Sequence, residues 1–346
     1  MPGRPPKIVT FGELMLRLSP PGYERLLQSP VLSATFGGSE ANVAVSLAHL
    51  GLDSHFVTRL PSNAIGDAGL RALRAEGVVT DAVVRGGNRV GIYFAETGAS
   101  QRASTVVYDR AGSAISEVTG DMLSWNAILS GGAWFHVTGI TPALSASAAQ
   151  VTSDAIATAK TRGLTVSIDL NYRQKLWTSV AAQQVMRPLM RHVDVLIANE
   201  EDIQATLGIE VVGADVTHGV FDSAAYRDVA QRICREFGVA TVAITLRESR
   251  SASENGWSAL LWDNAAQEIH HSPRFDIRVV DRLGAGDSFA AGLIYGLATG
   301  RSPLDALRFA VAASALKHTI PGDFNRVSVA EVDRLMKGDA SGRVQR

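Results

Sequence analysis

The sequence predicts an α/β protein, with a central, mainly parallel sheet flanked by helices on both faces and a small separate β-sheet. Three observations carry this. Short apolar segments alternate with helical patterns over most of the chain, which is the rhythm of βαβ units. Two intervals break that rhythm with turn residues and short alternating strands. Late in the chain, two glycines stand at a strand-to-helix turn, followed by a helix of small residues.

Residues 8–12 form the first expected strand, and residues 40–50 place apolar side chains at helical spacing. A strand over 54–59 and a helix over 66–76 follow. Next come a strand at 133–137, a helix at 144–160, a strand at 164–169, a helix at 181–192, and strands at 195–198 and 240–246. A β-branched run at 275–280 precedes the glycine turn, and helices near 285–299, 303–318 and 329–336 close the chain. The first interruption, 14–36, carries Pro20, Pro21, Gly22 and Pro30 and little helical pattern. The second reads as hairpins: 82–84, a Gly86-Gly87-Asn88 turn, 90–96, a turn at Gly98, then 104–108. The expected division is therefore an α/β body (1–13, 37–81 and 111–338) and a β lid (14–36 and 82–110). Such a sheet either covers a ligand and excludes water or is a surface hairpin. Residues 339–346 are expected to be a disordered tail.

Composition narrows the function classes. At 346 residues, with 46% hydrophobic and 19% charged side chains, the chain suits one large globular domain with an accessory piece. A formal net charge of −1 gives no electrostatic case for nucleic acid or a membrane surface. No apolar run approaches the roughly 18 residues of a membrane span. The first residues lack the apolar core of a signal peptide, so a cytoplasmic location is expected. The single cysteine, Cys234, excludes an internal disulfide and reads as a small buried hydrophobe in an amphipathic segment. His49, His55, His136, His192, His270 and His271 show no metal-ligand spacing, and Trp125 and Trp177 read as packing residues.

The most informative string is Asp281-Arg282-Leu283-Gly284-Ala285-Gly286-Asp287. Glycines at a helix start leave successive N–H groups free, and with the helix dipole these make an anion site. Asp287, in the first helical turn, is placed to accept a proton from a hydroxyl while the amides hold the group being transferred. Phosphoryl transfer to an alcohol is the functional reading. The plain alternative is a tight turn with an acidic residue on the helix dipole. The string is neither a Walker A loop nor a dinucleotide fingerprint.

Together these stretches resemble the PfkB (ribokinase-like) carbohydrate kinases over nearly the whole chain. Gly37-Gly38-Ser39-Glu40-Ala41-Asn42-Val43-Ala44 is similar to that family's N-terminal signature, and Asp281 to Asp287 is similar to its C-terminal one. Gly12-Glu13-Leu14-Met15-Leu16-Arg17-Leu18-Ser19-Pro20, Tyr108-Asp109-Arg110-Ala111-Gly112-Ser113-Ala114 and Asp169-Leu170-Asn171-Tyr172-Arg173-Gln174-Lys175-Leu176-Trp177 resemble 2-keto-3-deoxygluconate kinases within it. The resemblance implies a ribokinase-like fold. It also implies Asp287 as base, with the Gly284, Ala285 and Gly286 amides on the γ-phosphate.

Gly37, Gly38, Asn42, Tyr93, Tyr108, Arg110, Asn171 and Arg173 would surround the sugar, and Asn199, Thr245, Arg247, Gly284 and Gly286 the nucleotide. Arg110 and Arg173 are the substrate clue, since a guanidinium grips a carboxylate with two parallel bonds that a neutral sugar cannot offer. They could otherwise be surface arginines in loops. Asn199 and Asp202 would act on Mg²⁺ through water, with Asp202 one methylene shorter than the family's glutamate; a capped helix start fits the same residues. Two further departures stand out: Arg282 occupies a position where the signature usually has threonine, and 247–257 is longer and more polar than the family's compact glycine turn.

The expected activity is ATP- and Mg²⁺-dependent phosphorylation of the terminal hydroxyl of 2-keto-3-deoxygluconate or a close keto-deoxy sugar acid. The alternatives are a kinase for a neutral sugar such as fructose or ribose, or a non-catalytic sugar-acid sensor. Expected partners are the sugar acid, ATP and further copies of the chain (a dimer or higher), but neither nucleic acid nor membrane.

Overall fold

The computed structural model describes residues 4–210 and 223–339. The expected tail, apart from Asp339, lies outside the described residues.

The chain begins in β1 (Lys7–Phe11), then turns away through β2 (Met15–Ser19) and β3 (Ser33–Gly37). Helix α1 (Ser39–His49) leads back to β4 (Asp53–Val57), parallel to β1. β5 (Arg59–Leu60) and α2 (Ala64–Ala75) follow; the Asn63 side chain caps α2 by accepting from the Ile65 and Gly66 amides. The second excursion comprises β6 (Val84–Arg85), β7 (Gly91–Glu96) and β8 (Thr105–Asp109). Helix α3 (Trp125–Ile128) precedes β9 (Trp134–Thr138), then α4 (Ile140–Ala143) and α5 (Ala146–Thr161). The expected 144–160 helix is α5, which starts two residues later because the Ser145 hydroxyl accepts from Ala148 N and caps it; the short α4 before it was not expected. β10 (Thr165–Asp169), α6 (Ser179–Met190), β11 (Val195–Ala198) and α7 (Glu200–Leu207) keep the βα rhythm. After α8 (Ser223–Phe237) come β12 (Thr241–Ser249), β13 (Glu254–Asp263), β14 (Glu268–His271) and β15 (Phe275–Arg278). The described chain closes with α9 (Ala285–Ala298), α10 (Pro303–Lys317) and α11 (Val329–Met336).

The main sheet has the order β14-β13-β12-β11-β10-β9-β1-β4, with β15 also on β13. From β12 to β4 every pairing is parallel, and β13, β14 and β15 are antiparallel additions. Every residue of β9 and β11 is buried, as expected of strands covered on both faces. Alternation along a strand then separates two apolar layers. Phe135, Ile168 and Leu196 pack with Ile156 of α5, Met186 of α6 and Ile233 of α8. Their neighbours Trp134 and Ile197 join Leu47 of α1, Phe289 of α9 and Leu307 of α10 on the opposite face.

The two interruptions in the rhythm pair with each other. A four-stranded sheet of order β3-β2-β7-β8 stands apart from the main one, with β2 parallel to β7 and its other pairings antiparallel. One expected hairpin is absent: Val84–Arg85 pairs not with 90–96 but in parallel with Arg59–Leu60. Backbone bonds from Val84 N to Thr58 O (2.9 Å) and Gly86 N to Leu60 O (2.9 Å) hold it there. The polar 247–257 stretch is no loop either; its ends extend β12 and β13 into a long hairpin whose tip is 250–253.

The site follows from topology. β1 connects onward to β4 on one side and β9 to β10 on the other, so a crevice opens at the carboxyl edge between β1 and β9. Ligands of open α/β sheets bind in such crevices.

Candidate active site

The 279–286 loop is pinned before it becomes α9. Val280 N and Asp281 N both donate to His318 O, at 2.8 and 3.1 Å. Asp281 Oδ1 accepts from Leu283 N (3.1 Å), and its Oδ2 accepts from Gly322 N (3.0 Å) and pairs with Arg17 Nη2 (2.7 Å). Gly284 has φ +81°, and a Cβ there would lie 2.1 Å from Asp323 O, so no other residue fits without moving backbone. Gly286 is exposed, and nothing lies within 4 Å of where its Cβ would be. The start of α9 therefore has no side-chain cap and is open at Gly286, while the buried Ala285 N–H turns back to Arg282 O (3.3 Å).

Asp287 sits one residue further into α9, with 9% of its surface exposed. Its Oδ2 accepts from Asn42 Nδ2 (2.7 Å) and its Oδ1 from the Ser39 hydroxyl. Ser39 Oγ in turn accepts from Asn171 Nδ2 (3.0 Å), and Asn42 Oδ1 accepts from Gly38 N (3.2 Å). Asn171 adopts φ +39°, an uncommon conformation for a non-glycine residue, and from there its amide reaches Ser39. Burial raises the Asp287 pKa above the ordinary carboxylate value, while the Ser39 and Asn42 bonds pull it back down. This is a carboxylate oriented at both oxygens and poised to take a proton.

At the entry to α1, Gly37 and Gly38 lie against other groups with no room for a side chain. A Cβ on Gly37 would be 2.5 Å from Asp323 Oδ2, and one on Gly38 would be 1.9 Å from Glu13 O. The Tyr93 hydroxyl donates to Asp323 Oδ2 (2.6 Å), and Arg17 Nη1 donates to Asp323 Oδ1 (2.7 Å). Arg17 thus ties β2 of the small sheet to both Asp281 and Asp323, and all three side chains are buried. Tyr108 lies beside Tyr93, with ring centroids 5.9 Å apart, and the Arg110 guanidinium lies 5.4 Å from the Tyr108 ring centre.

The two candidate carboxylate-binding arginines differ. Arg110 is buried and paired with the buried Glu13 carboxylate. Arg173 is half-buried, donates only to Tyr172 O (3.0 Å), and forms no ion pair among the described residues. Its charge is felt by Asp169, Asp202 and Asp287. The charge of Arg110 is thus already matched by a buried carboxylate, whereas Arg173 has no direct ion pair among the described residues.

A second corner lies after β11. Asn199 Oδ1 accepts from Asp202 N (2.8 Å) and its Nδ2 donates to Asp202 Oδ2 (3.0 Å), so the pair forms the N-cap of α7. Burial raises Asp202 to about 6 and Asp169 well above its usual value; the charges of Asp202 and Asp287 add to the latter shift. Among the described residues no group of three or more His, Cys, Asp or Glu is placed to hold a metal ion alone. Thr245 and the exposed Arg247 lie just beyond, at the carboxyl end of β12; Thr245 Oγ1 donates to Ala198 O (3.4 Å).

Sequence reasoning overlooked several residues here. Ser39, Glu13 and Arg17 lie inside the strings that pointed to the site, but only the fold shows what they touch. Asp323 stands in a loop without periodic signal, and nothing local marked it. Glu40 was also missed. It is fully buried at the start of α1, and its Oε1 accepts from Thr138 N (2.9 Å), Thr138 Oγ1 (2.8 Å) and Thr141 Oγ1 (2.7 Å). Burial outweighs these bonds and raises its pKa from 4.5 to about 7. Because the folded value is the higher one, this stability contribution is complete below about pH 4.5 and is lost as pH rises through about 7. Denaturant unfolding of Glu40→Gln should accordingly lack a decline of up to about 3 kcal/mol that the parent shows between pH 5 and 8. Equal pH slopes in the two proteins would refute this.

An amide nest at a helix start and an oriented carboxylate beside it suit a phosphotransferase acting on an alcohol. The pfkB family carbohydrate kinase model matches residues 5–326, and the chain belongs to that family. The chain is 53% identical to a 2-dehydro-3-deoxygluconokinase structure from Thermotoga maritima, covering 96% of this chain and 99% of that one with a TM-score of 0.92. It is 34% identical over 336 residues to a 2-dehydro-3-deoxygalactonokinase from Haloferax volcanii, covering 97% and 98% of the two chains. A 2-dehydro-3-deoxygluconokinase from Bacillus subtilis is 29% identical over 326 residues, 93% of each chain.

Proposed function

We propose that this kinase transfers the γ-phosphoryl group of ATP to the terminal hydroxyl of a 2-keto-3-deoxy sugar acid of the gluconate or galactonate type. The observation that carries the substrate class is Arg173, a half-buried guanidinium at the carboxyl edge of β10 that forms no direct ion pair among the described residues. Its fork can grip a sugar carboxylate with two parallel bonds, which a neutral sugar does not offer. The two relatives' names, one for each C4 epimer, support the same class.

In this reading the sugar lies against the Gly37 and Gly38 backbone, with Tyr93, Tyr108 and Arg110 above it and the small sheet as its lid. The acceptor hydroxyl faces Asp287, which removes its proton as the phosphorus–oxygen bond forms. The nest amides of Gly284, Ala285 and Gly286 hold the transferred group, so charge is met by donors already in place. Asn199, Thr245 and Arg247 face the nucleotide. A divalent ion suits the corner after β11, where Asn199 and the buried Asp202 offer oxygen ligands. Asn199 and Asp202 would hold Mg²⁺ through water, and the ion would neutralise charge on the nucleotide phosphates.

The test is coupled ATP consumption over 2-keto-3-deoxygluconate, 2-keto-3-deoxygalactonate, gluconate, fructose and ribose. Activity is expected on the keto-deoxy acids, and Arg173→Ala should raise their KM roughly 10- to 100-fold with a smaller change in kcat. Activity confined to neutral sugars, or equal losses on acids and neutral sugars, would overturn the reading.

A further inference from the structure

Arg282 is the departure from the family signature that the phosphotransfer chemistry leaves unused. It stands two residues before Gly284, half-buried, and its Nη2 donates to Ala252 O (3.0 Å). Ala252 lies at the tip of the β12–β13 hairpin. Its own N–H donates to Ser100 O (2.8 Å), at the tip of the β7–β8 hairpin of the small sheet. Ser100 N returns a bond to Ser253 Oγ (2.9 Å), and Ser253 O accepts from Val279 N (2.8 Å) at the root of the nest loop. One residue, Ala252, thus joins the small sheet to the loop that begins the nest, and Arg282 is the side chain that holds its carbonyl. A threonine, four atoms shorter along the side chain, does not reach that carbonyl.

A cavity of about 140 Å³ lies inside this junction, lined among others by Arg17, Thr97, Gly98, Ala252, Asp281 and Arg282. Arg282 Nε is buried there without a hydrogen-bond partner. Both ends of the arrangement bear on ligands: residues 281–287 form the nest, and β7 carries Tyr93 over the sugar glycines.

We infer that Arg282 is a positioning residue that couples nucleotide occupancy of the nest to the seating of the small sheet, acting through Ala252 and Ser100. The inference rests on the nest being the nucleotide phosphate site. Anion binding to the nest amides stabilises the 282–286 conformation in which Arg282 already holds the Ala252 carbonyl, and through the Ala252 and Ser100 bonds it stabilises the seated small-sheet tip. By linkage, a seated small sheet favours nucleotide to the same degree.

Amide hydrogen exchange tests this without any sugar. Adding a non-hydrolysable ATP analogue with Mg²⁺ to the full-length protein should slow exchange at the 284–287 amides. It should also slow exchange at the Ser100 and Ala252 amides at least about fivefold, since those two bonds break only when the tips separate. In Arg282→Thr the nest amides should still be protected by nucleotide, and the Ser100 and Ala252 response should vanish. Arg282→Lys, which keeps one donor on a long stem, should restore part of it. An unchanged Ser100 and Ala252 response in Arg282→Thr overturns the coupling. No protection of the 284–287 amides in the parent protein overturns the nest as nucleotide site, and the coupling with it.

Discussion

Asp287→Asn should lower kcat by on the order of 100-fold or more while leaving the KM for the sugar acid within a few-fold of the parent. The substitution keeps size and shape, so the Gly38-Asn42 and Ser39-Asn171 contacts around it have no steric reason to move. What changes is the ability to accept a proton, together with one hydrogen bond, since Asn42 Nδ2 now meets either an oxygen or a second amide donor. The pH profile separates loss of the base from general damage. Burial raises the Asp287 pKa, so the parent's activity should fall on the acid side at a pH above the ordinary aspartate range, as the base becomes protonated. Asp287→Asn should show low activity without that limb. A variant that keeps near-parent turnover at saturating ATP would remove Asp287 from the reaction.

Much of the fold was legible because βα units write their period into the chain. β11 is a continuous apolar run, and the Asn63, Ser145, Thr178 and Ser302 caps stand close to where helical spacing begins. The failures are of another kind. Nothing in residues 82–84 says whether they pair with 90–96 or with 59–60, because a two-residue ladder has no hydrophobic face to set its partner. At the 250–253 tip the Arg250 and Ser251 amides bond locally to Glu254 O, and what sequence spacing cannot report is the pair of bonds that Ala252 N and Ser253 Oγ make with Ser100 of a distant hairpin. The same limit governs the site. The nest and Asp287 are local and were visible; Arg17, bonded to Asp281 and Asp323 from 264 and 306 residues away, was not. Arg110 and Arg173 looked equivalent as two arginines in loops, and only the buried Glu13 distinguishes them.

Gly284→Ala should be the most damaging single methyl group in the site. At φ +81° an alanine is strained wherever it stands, and here its Cβ would also meet Asp323 O at 2.1 Å and Asp323 C at 3.0 Å. Those atoms belong to backbone, so relief requires the 322–323 segment to shift. Asp323 cannot move alone, because its carboxylate accepts from both Tyr93 and Arg17, and Gly322 N donates to Asp281. The strain is therefore shared between the nest and the small sheet. A stability loss of about 2–4 kcal/mol is expected, with kcat/KM down by roughly 100-fold or more. Gly163→Ala isolates the conformational part: Gly163 has φ +77° with open space around it at the exposed end of α5. That change should cost about 1 kcal/mol and leave catalysis intact. If the two variants proved equally stable and equally active, close packing of Asp323 on the nest would play no part in either property.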